Sequence, residues 1–340
     1  MLIEKDKSLK NYNTFGVDYR AGFFVNIKYE SQLQKLLETK EFSDSKHKLI
    51  LGGGSNILFT GDFHGLIMNI DIQGMKIIRS DDKNILIETG AGNNWHKMVE
   101  LFVRNGYHGL ENLALIPGKA GAAPVQNIGA YGVEQSERFH SLTAFRLDSG
   151  ETVQMTKDDC RFAYRNSVFK NEFKGKMIIT KARYLLDRNF TPVKKYRDIQ
   201  LELDKFNISE PDARYMFDTV SRIRRKKLPD WEVTGNAGSF FKNPVISSDK
   251  FNQLKELLPE LISYPVEEPG MVKIPAAKLI ESAGWKGKEH NKAAVSPGHA
   301  LILINTGGAS GRDIFELSQL IIYSIKEKFG ILLEPEVNII

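Results

Sequence analysis

The segment LILGGGSNIL (Leu49–Leu58) decides the fold class, because three consecutive glycines follow directly on a short apolar strand. Glycines let the backbone turn with positive φ and present consecutive N–H groups to a ligand at close range. A concave run of N–H groups binds phosphate oxygens, so the segment favours a phosphate-bearing ligand; an ordinary tight turn is the alternative interpretation. The segment is not a Walker A loop, because no Gly-Lys-Ser or Gly-Lys-Thr closes it.

The segment IPGKAGAAPVQNIGAYG (Ile116–Gly132) carries small side chains at nearly every position. Its prolines, isoleucine and tyrosine are unlike a flexible linker, which is rich in glycine and serine. A structureless loop of this length is uncommon in a compact domain unless it is functional. We therefore expect it to line a ligand, and the two glycine-rich segments together favour a dinucleotide. The segment GAGNNW (Gly90–Trp95) is not a Rossmann fingerprint, because Trp95 stands where the third glycine is required.

Hydrophobic patterning predicts a mixture of strands and helices, which indicates an α+β or α/β protein. Apolar runs predict strands at Leu49–Leu51, Leu66–Ile70, Ile85–Thr89, Met177–Thr180 and Leu301–Asn305. Apolar residues from Trp95 onward recur at helical spacing, and Gly106 is suited to end that helix. A last helix begins at Ser310, whose Ser-x-x-Asp pattern resembles a capping box, and ends at Gly330.

The basic stretch Arg222–Lys227 is followed by Pro229, which predicts a helix end and the best candidate for a domain boundary. Such a cluster binds phosphates or nucleic acid, or it is a solvated helix face.

Composition excludes several classes of protein. The 340 residues are 41% hydrophobic and 26% charged, which excludes a disordered tail, a collagen-like fibre and a disulfide scaffold. The formal net charge of +5 suits an anionic small molecule at least as well as nucleic acid. The single cysteine, Cys160, cannot form an internal disulfide or a cysteine-based zinc site, and no metal is expected. The N-terminus lacks the apolar core of a secretory signal and no run reaches a membrane span, so we expect a cytoplasmic protein.

Three polar residues in distinctive surroundings are candidates for chemistry. Arg165 in FAYRNS offers a planar fork for a carboxylate, although a surface arginine is the more common case. Ser239 in GNAGSFFKNP is not in a Gly-x-Ser-x-Gly elbow, since Phe241 occupies the last glycine position; it is either a proton donor or a buried serine at a strand end. Glu336 in LEPEV is paired or functional if its strand is internal, and otherwise solvated.

Six segments, taken in order, together resemble the UDP-N-acetylenolpyruvoylglucosamine reductases: LILGGGSNIL, IPGKAGAAPVQNIGAYG, FAYRNSVF, RRKKLPD, GNAGSFFKNP and LEPEV. The resemblance implies an α+β protein with a vanillyl-alcohol-oxidase-type FAD-binding fold of two subdomains and a separate α/β substrate domain. It places the subdomains at 1–72 and 73–224 and the substrate domain at 225–330, with 331–340 returning to the FAD site.

The resemblance also implies the reaction: NADPH-dependent, FAD-mediated reduction of UDP-N-acetylglucosamine enolpyruvate to UDP-N-acetylmuramate, for bacterial peptidoglycan. It assigns catalysis to Arg165, Ser239 and Glu336. It assigns flavin contacts to Gly52, Gly53, Gly54, Ser55, Asn56, Gly118, Gly121, Ala122, Gln126, Asn127 and Gly129. It assigns substrate contacts to Lys227, Asn243, Tyr264, Lys273 and Tyr196, the last on the tyrosine loop of the longer subtype. Lys119 and Asn338 depart from the usual family pattern, and we expect a monomer that binds neither nucleic acid nor membrane.

Two other functions are compatible with parts of the sequence. A sugar or alcohol oxidase of the same flavin fold would use O₂ and ignore NADPH. A nucleotide- or RNA-binding module built on Arg222–Lys227 would be colourless, and its RNA binding would depend strongly on salt.

Overall fold

The computed structural model describes residues 1–340, and the chain folds into two compact units. The first unit comprises Met1–Lys7, Ala21–Gly53 and His64–Arg225. The second unit comprises Ser8–Arg20, Gly54–Phe63 and Lys226–Ile340. The boundary between Arg225 and Lys226 lies one residue from the predicted boundary after residue 224. The predicted division at residue 72 lies inside the first unit, so the three-part domain division stays a prediction.

Two sheets form the framework of the first unit. One has four strands in the order Ile3–Ser8, Arg20–Ile27, Phe63–Ile70 and Lys48–Leu51. The other has five antiparallel strands in the order Thr152–Thr156, Phe139–Arg146, Met177–Asp187, Asn84–Gly90 and Met75–Ser80. In the first sheet Lys48–Leu51 runs parallel to Phe63–Ile70, so the glycines that follow Leu51 leave the carboxyl end of a paired strand.

Helices of the first unit cover these sheets. They span Ser31–Leu37, Lys40–Asp44, Trp95–Arg104, Lys157–Cys160, Arg197–Lys205 and Ala213–Lys227. Short 3-10 turns at Glu111–Leu113, Ala120–Ala122, Gln135–Glu137 and Val168–Lys170 connect them, with a two-residue strand pair, Gly129–Ala130 and Val133–Glu134. The helix Trp95–Arg104 buries Met98, Val99 and Phe102 in one core cluster with the five-stranded sheet, as its apolar spacing predicts.

Three small sheets and three helices build the second unit. Its four-stranded sheet has the order Asn236–Ser239, Ile302–Asn305, Ala293–Val295 and Glu289–His290. Its three-stranded sheet has the order Val245–Ser247, Met271–Lys273 and Tyr264–Pro265, and Asn338–Ile339 pairs in parallel with Ile57–Leu58. The helices are Ser248–Leu257, Ala276–Ser282 and Gly311–Phe329, with a 3-10 turn at Lys10–Tyr12.

Local sequence signals set several of these boundaries. Ser310 accepts a hydrogen bond from the Asp313 N–H while the Asp313 carboxylate accepts one from the Ser310 N–H, and Gly330 ends the helix at φ +67°. The predicted capping box and glycine stop are therefore confirmed, and all five predicted strands are present. No helix combines the length and the apolar character that crossing a bilayer requires.

Candidate active site

The two predicted glycine-rich segments are in contact within the first unit. A Cβ atom added to Gly53 would lie 2.9 Å from the Cα of Gly118, and one added to Gly52 would lie 3.4 Å from the Cβ of Ala122. Gly121 is packed as closely, since its added Cβ would meet the Ala91 Cβ at 2.5 Å. Backbone therefore lies against backbone at Gly53, and neither Gly53 nor Gly121 leaves room for a Cβ atom.

The second glycine-rich segment is built on the start of the helix Trp95–Arg104. The Trp95 N–H donates to the Gly118 carbonyl at 3.0 Å, and the Trp95 indole N–H donates to the Leu113 carbonyl at 2.9 Å. The Ala120 N–H donates to the Asn93 carbonyl at 2.8 Å. These bonds order the segment, which agrees with the expectation that it is not a flexible linker.

Two side chains of this segment bond to the protein itself. Lys119, a departure from the family pattern, donates to the Ile70 carbonyl at 2.8 Å and to the Asp71 carboxylate at 3.1 Å. Asn127 is fully buried, and its amide bonds Glu134, Gln135 and Ser136. Lys119 therefore anchors the segment, and the Asn127 side chain shapes the loop. Gln126 and Gly129 are half-buried beside them, while Ala122 is exposed.

Residues Gly54, Ser55 and Asn56 belong to the second unit, where Gly54 is held in a left-handed turn. Its φ is +65°, and an added Cβ would lie 2.0 Å from the Tyr12 carbonyl oxygen. The Gly54 carbonyl accepts a hydrogen bond from the Thr14 N–H at 3.1 Å. The Thr14 hydroxyl beside it is buried and has no hydrogen-bond partner within the protein.

A buried hydroxyl without a partner is costly, and a bound ligand that supplies one removes that cost. Within the first unit, the close backbone approach at Gly53 fits a dinucleotide such as FAD. Within the second unit, the Thr14 hydroxyl is suited to a polar group of a ligand. Sequence patterning missed Thr14, because a single threonine before Phe15 and Gly16 carries no periodic or motif signal.

Arg165 is fixed against the second glycine-rich segment of the first unit. Its guanidinium donates to the Gly129 carbonyl at 2.6 Å and to the Asn127 carbonyl at 3.5 Å. Its backbone is left-handed, with φ +52°. This conformation costs a non-glycine residue about 1–3 kcal/mol and is typical of functional sites. Arg165 is therefore not the solvated surface arginine that the sequence left open.

Arg224 adds a second buried guanidinium near Arg165. Its Nε donates to the Leu115 carbonyl at 3.2 Å, and it also bonds the Tyr131 hydroxyl. Burial lowers the pKa of Arg224 and the nearby Arg165 charge lowers it further, while Tyr131 opposes both. Burial in turn raises the pKa of the Tyr131 hydroxyl. Two neighbouring guanidinium groups concentrate positive charge here, which favours an anionic ligand. The sequence placed Arg224 only within a basic run.

The structure places Tyr196 next to the same segment. Its ring lies edge-on to the Tyr131 ring, with 5.1 Å between centroids and 73° between planes. The buried Asn112 amide donates to the Tyr131 and Val193 carbonyls, at 2.9 and 3.0 Å. Asn112 therefore ties the loop before Tyr196 to the end of the second glycine-rich segment.

Ser239 and Glu336 lie on neighbouring backbone segments of the second unit. Ser239 ends the strand Asn236–Ser239, directly after Gly238 at φ +69°. The Glu336 N–H donates to the Phe240 carbonyl at 2.7 Å, and Phe241 forms an antiparallel bridge with Pro335. Both Ser239 and Glu336 are half-buried. Two of the three predicted catalytic residues, 97 positions apart in the numbering, are thus brought together.

The first glycine-rich segment and the C-terminus also meet in the second unit. The Asn56 amide donates to the Glu336 carbonyl at 3.2 Å. Asn338, the second departure from the family pattern, donates its side-chain amide to the Asn56 carbonyl at 2.9 Å. Asn338 therefore helps to hold Glu336 through the backbone.

Two predicted substrate residues, Tyr264 and Lys273, lie in the three-stranded sheet of the second unit, and a third, Asn243, lies two positions before its strand Val245–Ser247. Lys273 stands directly opposite Tyr264 on one side and Val245 on the other. Directly opposed residues of antiparallel strands project to the same face, so Tyr264 and Lys273 share one. The Asn243 amide oxygen accepts from the Ala276 N–H at 3.0 Å, at the start of the helix Ala276–Ser282. Lys227 ends the helix Ala213–Lys227.

Replacing Gly53 by alanine is expected to weaken FAD binding. The new Cβ meets the Gly118 backbone at 2.9 Å, so the two segments must separate. Overpacking of this kind typically costs about 1–3 kcal/mol, which corresponds to about 5- to 150-fold in the dissociation constant. Gly61→Ala is the matched control, since its added Cβ meets nothing within 4 Å. Quenching of flavin fluorescence on titrating apoprotein measures both, and equal affinities would contradict the prediction.

Comparison with known proteins assigns both parts of the chain. A family model described as the C-terminal domain of UDP-N-acetylenolpyruvoylglucosamine reductase matches residues 229–340, and one described as an FAD binding domain matches residues 23–156. UDP-N-acetylenolpyruvoylglucosamine reductase of Flavobacterium johnsoniae is 45% identical over 341 residues, covering 100% of both chains. The enzyme of that name from Burkholderia multivorans is 44% identical over 334 residues, covering 97% of this chain and 95% of the relative.

A solved structure shares the fold. The crystal structure of UDP-N-acetylenolpyruvylglucosamine reductase (MurB) from Thermus caldophilus superposes with a TM-score of 0.68 at 23% sequence identity, covering 100% of this chain and 99% of that one. Together with the FAD-binding match, this confirms the predicted α+β class with an FAD-binding fold. The vanillyl-alcohol-oxidase type of that fold and the separate substrate domain stay predictions.

Proposed function

This chain belongs to the UDP-N-acetylenolpyruvoylglucosamine reductase family, and on that premise we propose that Arg165, Ser239 and Glu336 carry out its catalysis. The protein reduces UDP-N-acetylglucosamine enolpyruvate to UDP-N-acetylmuramate, with FAD as cofactor and NADPH as reductant, in peptidoglycan precursor synthesis. The observation that best supports the catalytic proposal is the bond between the Glu336 N–H and the Phe240 carbonyl. It holds the glutamate beside the strand that carries Ser239.

Arg165 acts on the carboxylate of the substrate. The enolpyruvyl group is an enol ether conjugated to a carboxylate, and hydride addition at its terminal carbon places negative charge on the adjacent carbon and the carboxylate. FAD supplies the hydride-transfer chemistry when bound. The guanidinium of Arg165, fixed by the Gly129 carbonyl, offers a preorganised positive charge where that negative charge develops. Arg224 adds to the positive potential around Arg165.

Ser239 completes the reaction by giving its hydroxyl proton to the carbon next to the carboxylate. A serine hydroxyl is a weak acid, so it donates only to a strongly basic centre, and the electron-rich adduct is one. Solvent then returns a proton to Ser239. Glu336, in its protonated form, donates a further hydrogen bond to the carboxylate of the substrate and stabilises the same charge.

The remaining residues bind the nucleotide sugar and the cofactor. Lys227 offers a point charge to the diphosphate, and Asn243, Tyr264 and Lys273 contact the rest of the UDP-sugar. The backbone of the two glycine-rich segments holds FAD, with Tyr196 covering the substrate from its loop. The enzyme works as a monomer in the bacterial cytoplasm, where NADPH is available.

Absorbance spectra of the purified protein, taken under anaerobic conditions, test this function. We expect a flavin band that NADPH bleaches and that UDP-N-acetylglucosamine enolpyruvate then restores. Indifference to NADPH, with recovery of a reduced sample only in O₂, would instead indicate an oxidase. A colourless protein that binds RNA in a salt-dependent manner would indicate a nucleic-acid-binding module.

A further inference from the structure

His96 contacts Leu115, the residue directly before the second glycine-rich segment. It lies in the first turn of the helix Trp95–Arg104 and is half-buried. Its Nδ1 accepts a hydrogen bond from the Leu115 N–H at 3.0 Å. Its ring stacks on Phe217, with 5.4 Å between centroids and 4° between planes. The stack fixes the ring plane, so Nδ1 is aimed at Leu115.

Leu115 holds an unfavourable backbone conformation at this point. Its φ is +56°, in the left-handed region that a leucine rarely adopts because its Cβ crowds the following carbonyl. Such a conformation persists only where the surroundings enforce it. Here two side chains hold the residue from opposite ends: His96 accepts from its N–H, and Arg224 donates to its carbonyl at 3.2 Å.

Leu115 precedes Ile116, Pro117 and Gly118, so its conformation sets the direction in which the chain reaches Gly53. Loss of the left-handed turn would move Gly118, whose backbone lies closest to Gly53. The contact between the two glycine-rich segments therefore depends on the Leu115 conformation.

We propose that His96 is a positioning residue for the flavin, whose neutral ring clamps Leu115 in the left-handed conformation and whose protonation releases that clamp. The proposal rests on the proposed contact between FAD and the second glycine-rich segment. An imidazolium carries a proton on Nδ1, so it cannot accept from the Leu115 N–H, and two donors would then face each other.

Burial and two nearby arginines favour the neutral form of His96. Burial lowers the pKa of His96, Glu100 on the same helix opposes this, and Arg225 and Arg224 on the helix Ala213–Lys227 lower the pKa further. Because the unfolded chain binds this proton more readily, the clamp is fully present above the ordinary histidine pKa of about 6.5. It is lost as the pH falls through the lowered value in the folded protein.

Titration of apoprotein with FAD between about pH 5 and pH 8, followed by flavin fluorescence, tests the proposal. His96→Asn places an amide oxygen near the position of Nδ1 and does not titrate, whereas His96→Leu removes the acceptor. We expect wild-type affinity to fall on acidification and the His96→Asn variant to lack that step. We expect His96→Leu to bind about five- to tenfold more weakly near neutrality, as loss of one neutral hydrogen bond implies. His140→Asn, at an exposed histidine, should keep the wild-type acid step.

Repeating the His96→Leu measurement in a Leu115→Gly variant distinguishes the loss of the hydrogen bond to Leu115 from a general loss of packing. Glycine adopts positive φ without cost, so a Leu115→Gly chain needs the clamp less. The effect of His96→Leu on FAD affinity should therefore shrink in the Leu115→Gly background.

Any of three results would overturn the proposal. The His96→Leu variant could bind FAD as tightly as the wild type, or the His96→Asn variant could lose FAD affinity on acidification as the wild type does. The third is that His96→Leu weakens FAD binding equally with Leu115 and with Leu115→Gly. If His96→Leu fails to fold, the proposal is decided by comparing how FAD affinity depends on pH in His96→Asn and in His140→Asn. Failure of the proposed function is distinguishable, because the wild-type protein would then bind no FAD at any pH.

Discussion

Replacing Ser239 by alanine is expected to lower turnover about 10²–10⁴-fold, the usual contribution of a positioned proton donor. The hydrogen bonds that hold this strand are made by backbone groups: the Phe240 N–H donates to the Leu301 carbonyl at 2.8 Å, and the Phe240 carbonyl accepts from Glu336. The variant should therefore keep wild-type thermal stability and FAD content. Steady-state oxidation of NADPH in the presence of the enolpyruvyl sugar measures the loss.

Two further variants control this prediction. Ser239→Cys retains a proton on a side chain of similar shape, so it should recover part of the lost turnover. Ser248→Ala removes a hydroxyl that bonds the Gly270 carbonyl elsewhere in the same unit, and it should turn over like the wild type. Turnover of Ser239→Ala within about threefold of Ser248→Ala would exclude Ser239 as the donor, since general acid catalysis contributes far more.

Replacing Arg165 by alanine is expected to lower turnover about 10²–10³-fold, the typical effect of losing one group that stabilises transition-state charge. The loss should fall on the reaction with the enolpyruvyl sugar, because its carboxylate is the group that Arg165 faces in the proposed mechanism. Separate anaerobic measurements of flavin bleaching by NADPH and of recovery with substrate assign the loss to one step.

Arg161→Ala is the matched control for Arg165. Arg161 lies four positions earlier, is also left-handed at φ +45°, and is 71% exposed in its side chain with an ion pair to Glu172 at 3.4 Å. A surface ion pair contributes only about 0–1 kcal/mol, so this variant should retain wild-type kinetics. Similar kinetics for the two variants would remove Arg165 from the active site.

Local signals in the sequence were enough to predict many elements. The helix Gly311–Phe329 could be bounded from Ser310 and Gly330, because capping depends on residues within one turn. The strand Lys48–Leu51 followed from an apolar run that ends in glycine. The closeness of the two glycine-rich segments was also implied by their shared composition of small residues.

Long-range organisation could not be predicted in the same way. Nothing near Ser8–Arg20 or Gly54–Phe63 indicates that these segments fold with Lys226–Ile340, because pairing of Ile57–Leu58 with Asn338–Ile339 joins residues about 280 positions apart.

The sequence also gave no indication of the left-handed backbone conformations at the candidate site. No sequence pattern marks Leu115 or Arg165 as left-handed, since neither is a glycine or an asparagine. Their partners, the His96 ring and the Gly129 carbonyl, come from segments distant in sequence. The roles of His96 and Arg224 therefore became apparent only from the structure.

The catalytic account is tested most directly by one anaerobic stopped-flow experiment on Ser239→Ala beside the wild-type enzyme. NADPH should bleach the flavin band of both proteins at the same rate. Addition of UDP-N-acetylglucosamine enolpyruvate should then restore the band in the wild type and fail to restore it on the same timescale in the variant. Slow bleaching of the variant by NADPH, or recovery as fast as in the wild type, would contradict the assignment of Ser239 as the proton donor to the substrate.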